Sequence, residues 1–166
     1  MAKEKINYDS KNEQDLKDYL EEHFCYEVEK LIISNNKLIE TEIKEEKHIF
    51  LECLCLHARN IIEFLFFKEY KNYNRAVYYL NDEDWKNFSN NREKYNISIK
   101  NINNTVAHLT FCREKTTLCG QDKKLEWENE DFFIPLLKDI KQFFDILPEK
   151  FVSLRIKKLK NSLEKN

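Results

Sequence analysis

Residues 54–67 read LCLHARNIIEFLFF. Leu54, His57, Ile61 and Phe64 recur at helical spacing, Ala58, Ile62 and Leu65 flank them, and Phe66 and Phe67 make the end apolar nearly all round. That pattern marks a helix buried on most of its faces. With Phe50 and Leu51 extending the stripe, the spacing predicts a helix from Thr41 or Lys47 to Tyr70, central in its domain or on a subunit interface. A second stretch, VAHLTFCR over residues 106–113, again sets a histidine and an arginine in an apolar helical segment. The remainder reads as helical scaffold around these two.

Composition supports that reading. Hydrophobic residues make up 42% of the 166 and charged residues 35%, a globular mixture long enough for one buried core. Turn residues are nearly missing, with Gly 1 and Pro 2. Sandwiches and barrels need them at every hairpin, so an all-α protein is predicted. Gly120 alone cannot build a P-loop, a Rossmann fingerprint or a nucleophile elbow, each of which needs several glycines for close backbone approach. The net charge of −2 supplies no global field towards nucleic acid. No apolar run approaches the roughly 20 residues that span a bilayer, and no apolar signal core opens the chain. A cytoplasmic protein with no membrane partner is the expectation. Cys25, Cys53, Cys55, Cys112 and Cys119 lack zinc-type spacing, which predicts reduced, mostly buried thiols, no metal and no cofactor.

In chain order, Asp9 or Ser10 is placed to cap a first helix with the stripe Leu16, Leu20, Phe24, Val28, Leu31 and Ile32. It is expected to run to about residue 46, with Ser34-Asn35-Asn36 as a point of weakness. Residues 71–97 read as an irregular, tyrosine-rich insert with a short helix at Asp82–Phe88 capped by Asn81. Its rings are expected to cover the core with their hydroxyls in water. A helix over 98–115 follows. The last long helix opens near Asn129, accepts Pro135 in its first turns and meets Pro148 at a kink or end. Beyond it, 149–166 reads as a lysine-rich helical appendage. The expected architecture is one domain, 1–166, a bundle of about four long helices with one irregular insert.

The candidate catalytic residues are His57, Arg59, Asn60, His108 and Arg113. At about 100° per residue, Asn60 lies about 60° from His57, whereas Arg59 is about 200° away. His108 shares a polar face with Asn101, Asn104 and Thr105. Packed together, the two helices would gather imidazoles, guanidiniums and amides in one pocket. Metal-independent RNA cleavage needs a base for the 2′-hydroxyl, an acid for the leaving oxygen and a cation over the phosphorane. Histidine and arginine suit those roles. The plainer reading stands beside it. A histidine on an apolar stripe is more often a hydrogen-bonded core residue, and Arg59 or Arg113 can be held by Glu52, Glu63 or Glu114. His23 and His48 read as surface residues.

With His57-Ala58-Arg59-Asn60 on one long apolar helix and Ala107-His108-Leu109-Thr110 on a later one, the chain resembles small all-helical bacterial proteins. More distantly it is similar to the HEPN (higher eukaryotes and prokaryotes nucleotide-binding) superfamily, which includes toxin and abortive-infection ribonucleases. That family's site is an Arg, a polar residue, three further positions and a His on one helix, used across a dimer. Arg59 and Asn60 match the first two positions, and Phe64 stands where the family has its His. The resemblance implies a metal-independent ribonuclease, or an RNA-binding component, of a bacterial defence or toxin–antitoxin system. Two other readings come from the residues. A non-catalytic module would form a homodimer through the aromatic-rich second or last helix, using part of the surplus of Phe 12 and Tyr 8. Alternatively Lys157, Lys158 and Lys160 would bind RNA without cleaving it, against the simpler view of a solvated helix face.

Overall fold

The stripe Leu16, Leu20, Phe24 and Val28 repeats every four residues, and in an α-helix each such step drifts by about 40°. Across three steps the stripe would swing about 120° off the core. The computed structural model, which describes residues 12–67, 74–96, 102 and 132–164, places a wider turn inside this stretch. α1 (Glu13–Tyr19) passes through a π turn, Leu20–Phe24, into α2 (Cys25–Glu40). There the Cys25 N–H donates to Leu20 O, and the underwound turn takes up part of the drift. All four residues of the stripe are buried. Asn12 caps α1, its side chain accepting from Gln14 N at 3.1 Å. Asp9 and Ser10, the expected caps, lie outside the described residues.

The weak point expected at Ser34-Asn35-Asn36 is unbroken helix, with Ser34 and Asn35 buried. The chain breaks instead at residues 41–43. Thr41 Oγ1 donates to Glu46 Oε2 at 2.6 Å and accepts from Ile43 N at 3.3 Å, local bonds that compete with helix. After this short reversal α3 (Lys44–Phe66) runs back along α2. From Leu54 onward it supplies the centre of the core, with Leu54, Ala58, Ile61, Ile62 and Leu65 fully buried.

The insert keeps its predicted short helix. α4 (Asp82–Ser89) is capped by Asn81, whose side chain accepts from Asp84 N at 2.8 Å. 3-10 turns flank it at Ala76–Tyr78 and Asn90–Tyr95. α5 (Ile134–Ile146) carries Pro135 in its first turn and ends before Pro148. α6 (Leu154–Leu163) is capped by Ser153 and seats Ile156, Leu159 and Leu163 in the core. Among the described residues every regular element is helical, the all-α architecture that the scarcity of glycine and proline predicts.

Most of the described rings are spent inside. Phe24 lies 4.3 Å from Phe64 and 5.4 Å from Phe143, while Phe66 stacks on Phe88 at 5.2 Å and on Tyr95 at 5.4 Å. Phe66, at the end of the helix read as central or on a subunit interface, is 1% exposed within its own chain, as the central reading requires. The buried hydroxyls of the insert face partners rather than water, because an unpaired buried donor is costly. Tyr79 donates to Leu16 O at 3.2 Å. Tyr95 donates to Asp139 Oδ2 at 2.6 Å, and the same carboxylate accepts from Lys94 Nζ and Asn91 Nδ2.

Ion pairs tie the C-terminal segment down. Arg155 grips Glu29 through Nε and Nη2 at 2.9 and 2.7 Å, Lys150 meets Glu13 at 3.0 Å, and Lys160 meets Asp145 at 2.5 Å. The Arg155 hydrogen bonds hold the Glu29 carboxyl below its usual range, and Lys17 and Lys150 do the same for Glu13. For Asp145 burial pulls upward, but Lys160 and Lys141 outweigh it. A carboxylate with a depressed folded pKa stabilises fully above its unfolded value, about 4, and loses that contribution as pH falls through the folded one. These groups are exposed enough that each contributes modestly and is screened by salt. Acidification from about pH 5 to pH 3 is therefore expected to loosen α6 before the α2–α3 pair. Amide exchange corrected for intrinsic rates reads this. Protection in α6 that persists until global acid unfolding would contradict it.

Candidate functional site

Tyr19, His23 and Glu27 fall four residues apart across the π turn and form one wall of a cavity of 270 Å³. Asn60 and Glu63 of α3 face them, and Arg75, just before the first 3-10 turn, also lines the space. Its apolar part is made by Phe24 and Phe64. A π turn beside a polar cleft is a recurrent arrangement at working sites, because the wider turn re-aims side chains out of α-helical register.

Glu27 is the hub of the polar contacts. Its Oε2 is 2.8 Å from His57 Nδ1 and accepts from Asn60 Nδ2 at 3.2 Å. An ionised carboxylate only accepts, so Nδ1–H is assigned as the donor, and in the neutral imidazole Nε2 is then the acceptor nitrogen of His57. The edge of the Tyr26 ring meets the imidazole at 6.2 Å, and only 13% of the His57 side chain is exposed. Beside the cleft Arg59 Nε donates to Glu63 Oε1 at 2.8 Å, an i,i+4 pair worth about 0.3–0.5 kcal/mol. Burial pushes the Tyr19 phenol up; the Arg75 charge lowers it and Glu27 raises it.

His57 and Asn60 thus meet through Glu27, while Arg59 is turned to Glu63, one of the partners its sequence position offered. His108 and Arg113 lie outside the described residues. Phe64, at the position of the HEPN histidine, packs in the aromatic core and is 3% exposed. His23 is exposed, as read, yet lines the cleft. Of the tail lysines, Lys157 is 3.7 Å from Glu149 and Lys160 is paired with Asp145, while Lys158 is exposed. Glu27 and Arg75 are not among the residues that the sequence singles out. The four-residue column Tyr19, His23, Glu27 was the available signal, but only the π turn brings it to the cleft.

Other chemistry is restricted. Burial pushes the Cys25 and Cys55 thiols up to about 12, so neither is a nucleophilic thiolate at neutral pH. Among the described residues no group of His, Cys, Asp or Glu is arranged to hold a metal ion, and no helix is long and apolar enough to cross a membrane. Comparison with known proteins finds no family model, no curated protein and no solved structure that matches the chain.

Proposed function

We propose that the α2–α3 cleft is an acid–base site for metal-independent cleavage of single-stranded RNA. The observation that carries this reading is the convergence of His57 and Asn60 on Glu27, with Glu27 and Asn60 lining a cleft beside His23 and Arg75, and His57 held against Glu27 just behind that lining. Glu27 fixes the His57 tautomer, so Nε2 is the base for the 2′-hydroxyl proton. The 2′-oxygen attacks phosphorus, the bond to the 5′-oxygen breaks, and His23 returns a proton to that leaving oxygen. Arg75 offers positive charge to the phosphorane. A role of bacterial defence or toxin–antitoxin type is the setting that the distant HEPN resemblance, carried by Arg59 and Asn60, implies.

The test is incubation of purified protein with structured and single-stranded RNA without metal, beside His57→Ala. Cleavage leaving 2′,3′-cyclic phosphate ends, reduced about 10²–10⁴-fold in the variant, is expected. Equal background from both proteins would overturn the reading in favour of a non-catalytic interaction module. One observation favours that second reading. Tyr26 and Ile33 on α2, and Ile49 and Leu56 on α3, are each seven residues apart and 44–58% exposed, giving outward apolar stripes on both helices.

A further inference from the structure

We infer that the α2–α3 cleft selects a guanine base, a specificity that rests on reading the cleft as an RNA site. At 270 Å³ it is slightly smaller than the roughly 300–1,000 Å³ of typical drug-sized pockets, so it suits one nucleobase better than a longer segment. Tyr19 supplies a half-buried aromatic face, stacked on Phe64 at 6.1 Å and 18°, with the His23 ring 5.0 Å away. Such a platform holds any unstacked base, whatever its identity.

Selection comes from the hydrogen-bonding edge. The cleft presents two carboxylates, Glu27 and Glu63, and an ionised carboxylate only accepts. Glu27 spends Oε2 on His57 and Asn60. Glu63 gives Oε1 to Arg59, and its Oε2 takes no hydrogen bond among the described residues. Each carboxylate oxygen has two lone pairs, so Glu63 can still receive a pair of parallel N–H donors. Guanine alone among the four bases offers such a pair, N1–H beside the 2-amino group. Adenine puts an acceptor at N1, cytosine puts one at N3, and uracil sets its single N3–H between two carbonyls. Each would leave Glu63 facing a lone pair.

Binding of GMP, AMP, CMP and UMP to the intact protein, followed by calorimetry, tests this without requiring turnover. GMP is expected to bind about tenfold or more tightly than the others. Glu63→Gln is expected to bring GMP to the level of AMP, and Glu63→Asp, which keeps both acceptors, to retain the preference. Circular dichroism checks that each variant folds. Equal affinities, or no binding of any mononucleotide, would overturn the inference. Selective GMP binding without RNA cleavage would support guanine selection while overturning the catalytic reading. Cleavage with no preference for guanosine sites would do the reverse.

Discussion

Replacing Asp139 by alanine is expected to cost about 3 kcal/mol of stability, the largest loss from any single polar side chain in the described core. The carboxylate is 3% exposed and accepts from Tyr95, Lys94 and Asn91, fastening the Asn90–Tyr95 turn to α5. Lys94 is 42% exposed on its side chain and returns to water when its partner goes, so it is not stranded. Tyr95 is. Its ring is enclosed by Phe66 and Phe132, and a buried hydroxyl with no acceptor costs about 1–3 kcal/mol beyond the lost bonds. For a chain of 166 residues this corresponds to a fall in Tm of roughly 6–12 °C. Thermal unfolding followed by circular dichroism at pH 7 measures it, and a change below about 0.5 kcal/mol would show the network to be incidental. Tyr95→Phe should cost less, because Asp139 keeps Lys94 and Asn91. Burial and Asp139 together push the Tyr95 phenol up. A raised folded pKa means that the contribution of the neutral phenol is complete below its unfolded value, about 10, and is lost as pH rises above it.

The second large effect concerns Glu27. On the acid–base reading, Glu27→Gln is expected to lower RNA cleavage about 10²–10⁴-fold while the protein stays folded. A glutamine amide can donate to His57 Nδ1, which would move the imidazole proton to Nε2 and remove the base. Glu27 acts through His57, so it is a positioning residue. Glu27→Asp, which restores an acceptor on a shorter stem, should recover part of the rate where Glu27→Gln does not. Single-turnover rates on one oligonucleotide compare the three proteins. Full activity in Glu27→Gln would remove Glu27 from the mechanism.

The all-α class was legible because it rests on local chemistry. One glycine and two prolines leave few other options, and Asn81, Pro135 and Pro148 act on their immediate neighbours wherever the chain goes. The α2–α3 break was harder to see, since no glycine or proline marks residues 41–43 and the Thr41 side-chain bonds do the work. The cleft was legible by halves. His57 and Asn60 stand out as polar residues in an apolar helix, and Arg59 meets Glu63 one turn away. Glu27 pairs across 30 positions and Asp139 across 44 with Tyr95, and nothing local distinguishes either from the other 28 acidic residues. Helical periodicity also assumes a constant turn, so it cannot foresee a π turn that re-aims Tyr19, His23 and Glu27.

The far ends of the described chain close on one another. Phe24 packs against Phe143 and Phe144, Arg155 grips Glu29, and Lys150 reaches Glu13 across 137 positions. During synthesis the α2–α3 pair can form early, since its partners are neighbours in sequence. The part of its apolar face that α5 and α6 cover waits for them to leave the ribosome, which at about 5–20 residues per second is several seconds later. Throughout that interval Phe24 and Phe64 lack the Phe143 ring that both pack against in the finished fold.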